Sequence, residues 1–167
     1  GQPFVRYWLH SEHLLVDGTK MSKSLGNFFT LRDLVGKGYD PMTIRYELLT
    51  AHYRKQLNFT LEGLEQSKAA LDRISTFVDR LRKMSLQPGA TEPVKQILAS
   101  SLVEFEAAMN DDLNVPGALG ATFEMIKQLN PLAEGAELGE EDRDAILATL
   151  QRMDTVLGVL KPVFETE

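Results

Sequence analysis

The sequence predicts a mainly α protein, an antiparallel helical bundle preceded by a short α/β segment. Three observations carry this. From Thr60 onward, four stretches repeat apolar residues at helical spacing and are joined by short breaks rich in Pro and Gly. Before Thr60 the apolar runs are shorter, aromatic or β-branched, and cut by turn residues. The charge divides at the same place: residues 1–60 hold eight Lys+Arg against five Asp+Glu, and residues 61–167 hold ten against nineteen. The acidic second part argues against wrapping nucleic acid over the whole surface and leaves a local contact from the basic first part.

Composition narrows the chemistry. At 167 residues, 43% hydrophobic and 25% charged, the chain buries a real core in one domain or two small ones. It has no cysteine, so disulfides, thiolate zinc sites and cysteine nucleophiles are excluded within it. No apolar run reaches the roughly 18 residues that span a bilayer, and no membrane partner is expected. The opening Gly-Gln-Pro-Phe, with no initiator Met or targeting helix, reads as part of something longer.

In chain order, Phe4 to Leu9 reads as a buried strand, with Trp8 packing inside it. Leu14 to Val16 and the turn Asp17-Gly18 read as a second strand entering a hairpin. Between them His10 and His13 flank Glu12; a metal pair is one reading, and a structural role is preferred because no further ligand is near. Thr30 caps a short helix from Leu31, which Gly36 and Gly38 end. Asp40-Pro41 starts a helix to about His52 with Ile44, Leu48 and Ala51 on one face. Near its end gather His52, Arg54 and Lys55, with Arg45 close by. This cluster reads either as a complement to the helix dipole or as a phosphate contact.

Thr60 caps a long helix to about Met84, whose seam is Leu64, Leu71 and Val78, with Ile74 and Leu81. Arg73, Arg80, Arg82 and Lys83 are its expected solvated side. Gln87-Pro88-Gly89 breaks it, and Glu92-Pro93 opens a helix carrying Ile97, Leu98, Leu102, Phe105 and Met109. The run Asn110 to Pro116 lacks the spacing of a calcium loop, so Asn114 or Asp112 is read as a helix cap. A third helix is expected from Val115 to Leu129, stopped by Asn130-Pro131. The last, from about Glu140, carries Ile146, Leu150, Met153, Leu157 and Leu160.

The chemistry concentrates in Lys20-Met21-Ser22-Lys23-Ser24, followed by Leu25-Gly26-Asn27-Phe28. Two lysines with interleaved hydroxyls and a glycine suit the phosphates of a nucleotide. With Tyr7 to His10 upstream and Leu25 to Thr30 downstream, the pentapeptide resembles the KMSKS signature of class I aminoacyl-tRNA synthetases. Within that class, Asp40-Pro41 with Arg45-Tyr46, His52 to Phe59 and Met109 to Pro116 make the chain similar to the cysteinyl-tRNA synthetase family along its whole length.

The resemblance implies a Rossmann-like catalytic remnant with the lysine loop in residues 1–30, a stem-contact region in 31–60 and a tRNA-binding type of bundle in 61–167. It implies an ATP-dependent ligase that activates cysteine as the adenylate and transfers it to tRNA(Cys) in the cytoplasm. Lys20 and Lys23 would be the catalytic charge donors, and Lys20, Met21, Ser22, Lys23 and Ser24 the contacts to ATP phosphates. Arg45, Arg54 and Lys55 would be tRNA contacts. The family's zinc has no ligands here, and its His-Ile-Gly-His signature is missing, since His10 to His13 lacks the glycine and lies too near the loop. The isolated chain is therefore expected to be inactive, with its lysine loop exposed and poorly ordered. Two other readings remain, a related cysteine:amino-sugar ligase and a noncatalytic helical module that binds tRNA or protein.

Overall fold

The computed structural model describes residues 4–164. Its elements run β1 (Leu15–Val16), β2 (Thr19–Lys20), α1 (Leu31–Gly36), α2 (Pro41–Leu49), β3 (Asn58–Phe59), α3 (Leu61–Lys83), α4 (Glu92–Asn110), α5 (Val115–Glu134), α6 (Glu140–Leu157) and α7 (Lys161–Phe164). The architecture is the expected one, a helical bundle with a small α/β unit before it.

Local chemistry sets most of the boundaries. Asp17 (φ 49°) and Gly18 (φ 74°) turn β1 back on β2, with Leu15 opposite Lys20 and Val16 opposite Thr19. A two-residue hairpin with both central φ angles positive is the turn that Asp-Gly favours. β3 adds to β1 in parallel, giving the order β2-β1-β3. Thr30 and Asp33 form a reciprocal capping box at α1, which holds the Asp33 carboxyl below its ordinary range. Asp40 accepts from Met42 N and Thr43 N at the start of α2, and Thr60 accepts from Gly63 N at the start of α3.

Two cores lie along α3. Val16, Leu34, Ile44, Phe59 and Leu64 make a small one, with Leu14, Met21, Phe29 and Tyr39 against it. The larger runs from Ala70 through Ile74, Phe77, Val78 and Leu81 into Leu98, Phe105, Met125, Leu129, Ile146, Leu150 and Met153. Leu64 at one end of α3 and Leu81 at the other are both fully buried. The helix thus fastens the α/β unit to the bundle.

Four expectations are corrected. Phe4 to Leu9 forms no strand, and Phe4 is 93%, Tyr7 90% and Trp8 71% exposed. Aromatic and β-branched propensity describes a half-buried pleated surface, and among the described residues no neighbour covers this run. Trp8 instead stacks on His10, centroids 6.0 Å apart. α2 ends at Leu49, where Thr50 N and Oγ1 both donate to Glu47 O, so His52 lies beyond the helix in a turn closed by Lys55 N to His52 O. α5 continues through Pro131 to Glu134. Proline removes one helical hydrogen bond, and burial of Leu129 and Ala133 with packing of Leu132 offsets that loss. On the expected solvated side of α3, Arg80 is half-buried, its guanidinium donating to Asn130 and Glu134 of α5. Arg73, Arg82 and Lys83 are exposed as expected, and Arg82 also donates to Val163 O at 2.8 Å.

The two ends of the bundle connectors are laced together. Asp142 is 1% exposed and accepts from Thr91 N (2.9 and 3.1 Å) and from Gly139 N (3.0 Å). One carboxylate therefore caps the starts of both α4 and α6. Gly139 lies against the Gly89 carbonyl with no room for a Cβ, and Glu140 N donates to Gln87 O.

Candidate functional site

The lysine loop grows out of the hairpin. Lys20 ends β2, Ser22 precedes a 3₁₀ turn at Lys23–Leu25, and Gly26 closes that turn at φ 68°. Both lysines are exposed. Met21 points the other way, into an apolar hollow lined by Leu14, Phe29, Leu34, Ile44 and Phe59. The pentapeptide therefore divides into an anchor, Met21, and two free charges. Lys23 Nζ lies 5.5 Å from the Phe28 ring centroid. Ser22 and Ser24 hydroxyls share a hydrogen bond of 2.7 Å.

Asn27 closes the loop. Its Oδ1 accepts from Ser22 N (2.8 Å), and its Nδ2 donates to Thr19 Oγ1 (3.0 Å) and Lys20 O (3.2 Å). The loop is largely exposed, and these bonds join its two arms. Sequence reasoning gave Asn27 no role. The available signal was its place directly after a glycine in the left-handed region, where a short amide can reach back to the turn it follows.

The second cluster sits between the α/β unit and the bundle. Asp112 (φ 51°) and Leu113 (φ 56°) take left-handed backbone in the turn between α4 and α5. Asp112 receives Arg54 Nε at 2.5 Å and Nη2 at 3.3 Å, the Tyr53 hydroxyl at 2.6 Å, and pairs its carbonyl with His52 Nε2 at 2.9 Å. The Arg54 guanidinium, then the Tyr53 hydroxyl, hold the Asp112 carboxyl down at about 2, and the same bond pushes the Tyr53 hydroxyl up. Both charged partners are largely exposed, so the pair orients the junction more than it stabilises it. Asn114, not Asp112, caps α5, accepting from Gly117 N at 3.0 Å.

The three tRNA-contact candidates have different surroundings. Arg45 Nε donates to Leu157 O at 2.8 Å, closing the end of α6. Arg54 is committed to Asp112, and Lys55 is exposed. For the histidines upstream, no group of three or more metal-ligating side chains exists among the described residues. With no cysteine in the sequence, the residues here do not fit a thiol-reading zinc site.

Because folded-state bonding depresses the Asp112 pKa, its contribution is present above the ordinary carboxylate value of 3.8 and is lost as pH falls through about 2. A carboxyl NMR titration should find that low midpoint. Arg54→Ala should move it up toward 3.8. A midpoint still at about 2 in the variant would show that Arg54 is not the main cause.

The paired-lysine loop sits on a hairpin, and the helices that follow it lead into the bundle. Residues 1–69 match the family described as tRNA synthetases class I (C) catalytic domain, and residues 104–161 match the DALR domain. The backbone resembles that of the agnB2 LeuRS of Agrobacterium radiobacter K84, crystallised as a ternary complex with tRNA and LeuAMS. The TM-score is 0.65 at 20% identity, over 92% of this chain and 21% of that one, a likeness of fold. The chain is homologous to the class I tRNA synthetases.

Within that class its relatives are cysteine–tRNA ligases. It is 48% identical to that of Chlamydia caviae over 95% of this chain, 40% to that of Protochlamydia amoebophila over 96%, and 43% to that of Solibacter usitatus over 97%. It spans 34%, 33% and 35% of those proteins, about a third of their length. No helix among the described residues is long and apolar enough to cross a membrane.

Proposed function

We propose that the chain is the lysine-loop and bundle segment of a cytoplasmic cysteine–tRNA ligase, which joins cysteine to ATP as an adenylate and passes it to tRNA(Cys). The observation that supports this reading is the loop of Lys20 to Ser24, with both lysines exposed and Met21 anchored, in a chain homologous to these ligases along nearly its full length. Attack of the cysteine carboxylate on the α-phosphorus releases pyrophosphate, and negative charge builds on the phosphate oxygens as the bond breaks. Ammonium groups aimed at those oxygens lower the barrier most where that charge is largest. Lys20 and Lys23 fill that role, Lys23 directly on the phosphates. Ser22 and Ser24 hold the turn and offer hydroxyls to the same oxygens.

The exposed run Phe4 to Leu9 is read as a surface for the rest of the catalytic domain, and residues 31–60 as the stem-contact region that joins it to the bundle at 61–167. Arg45, Arg54 and Lys55 are the tRNA contacts in this reading; Arg45 and Arg54 also hold the frame through Leu157 and Asp112, and Lys55 is exposed. Zinc belongs to the whole ligase, without ligands from this chain. The isolated chain is inactive for want of the remaining site.

A chimera tests this. Grafting the chain in place of the matching third of the Chlamydia caviae ligase should restore cysteine-dependent ATP–pyrophosphate exchange and charging of tRNA(Cys), while the chain alone supports neither. A folded chimera that exchanges with another amino acid, or accepts an amino sugar in place of tRNA, would overturn the assignment.

A further inference from the structure

We infer that Asn27 is a positioning residue of the lysine loop, acting through Lys20 and Lys23 without touching the substrate. This rests on the phosphate-binding reading of that loop. The side-chain amide joins both arms of the loop: Ser22 N on one side, Thr19 Oγ1 and Lys20 O on the other. The bonds enclose the Lys20-Met21-Ser22 backbone in a ring, and Met21 pins the ring from beneath by packing on Leu14, Phe29 and Ile44. The loop needs such a device because its own backbone bonds are few and long, Leu25 N to Ser22 O at 3.3 Å and Gly26 N to Lys23 O at 3.2 Å. Two exposed ammonium groups on flexible stems gain transition-state contact only if the backbone beneath them is fixed in advance.

Thr19 is fixed in its turn. Its hydroxyl donates to Val16 O at 3.0 Å while accepting from Asn27, so the clasp is tied to the hairpin. Gly18 N donates to Asn58 Oδ1 at 2.6 Å, which ties the hairpin to β3. The sheet therefore sets the loop geometry through Thr19, the Asn27 amide carries it to both arms, and Met21 anchors it on the core side.

The test uses a full-length ligase carrying this segment, with Lys23→Ala as reference. Asn27→Ala should lower kcat for cysteine-dependent ATP–pyrophosphate exchange by about 10- to 100-fold while KM for ATP changes less than about threefold. The melting temperature should stay within about 2 °C. In the chain itself, hydrogen exchange at the Ser22 amide should quicken by about tenfold or more. Asn27→Asp keeps an acceptor for Ser22 N but turns a second oxygen toward the Lys20 carbonyl, so it should not restore kcat. Unchanged kcat with Ser22 exchange unaltered overturns the proposal, as does a kcat loss matched by a large fall in melting temperature. If Lys23→Ala cripples exchange and Asn27→Ala does not, positioning alone fails. If neither matters, the phosphate reading falls with it.

Discussion

Replacing Lys23 by alanine in the full-length ligase is expected to slow cysteine-dependent ATP–pyrophosphate exchange by about 100- to 1000-fold, the usual cost of removing one preorganised charge donor from a displacement at phosphorus or carbon. The loss should fall mainly on kcat. In the proposed role the loop meets the triphosphate most strongly as charge develops and contributes little to ground-state affinity, so KM for ATP should move far less. The fold should not notice the change: Lys23 is exposed, with its Nζ 5.5 Å from the centroid of the Phe28 ring. Lys20→Ala should behave similarly with a smaller loss, since Lys20 lies at the end of β2 where its backbone carbonyl, not its ammonium, is used by Asn27. Single-turnover adenylate formation measures both. Exchange within a few-fold of wild type in Lys23→Ala would remove the loop from the chemistry.

The second large effect concerns stability. Asp142→Ala should destabilise the chain by about 2–4 kcal/mol, because it strands two backbone donors at buried helix starts and removes a charge-assisted cap from each. For a chain of this size that lowers the melting temperature by about 6–12 °C. Asn at the same position keeps one acceptor oxygen and should lose about half as much. Thermal unfolding followed by circular dichroism decides the matter, and a variant that melts with the wild type would show that water or backbone rearrangement satisfies Thr91 N and Gly139 N.

Acid should act on the molecule at a different place. Asp112 loses its charge only as pH falls through about 2, and it is exposed, so its protonation loosens the junction with His52, Tyr53 and Arg54 without opening the bundle. Asp142 ties the bundle connectors, whereas Asp112 joins the bundle to the unit that carries the lysines. The two aspartates divide stability from orientation.

Much of this was legible in the sequence because it is decided within a few residues. Asp17-Gly18 dictates a hairpin, Thr30 with Asp33, Asp40 with Pro41, Thr60 and Asn114 dictate helix starts, and the seam through Leu64, Ile74, Val78 and Leu81 dictates a buried face. The lysine pentapeptide likewise stands out through residue types alone. What the sequence could not settle depends on partners far along the chain. That Arg45 Nε meets the Leu157 carbonyl, and that Arg54 pairs with Asp112, is visible only in the fold. Pro131 reads as a stop until burial of Ala133 carries the helix past it, and Phe4 to Leu9 reads as a strand until the described fold leaves it uncovered. Short-range hydrogen bonds and periodicity are written in neighbouring residues, so the sequence by itself determined the hairpin turn, the main helices and their order, and the position of the two lysines. Which charged side chains stay free, and how the loop between those lysines is held, was decided only when the tertiary structure brought Asn27 back onto Thr19, Lys20 and Ser22 and set Asp112 against Arg54.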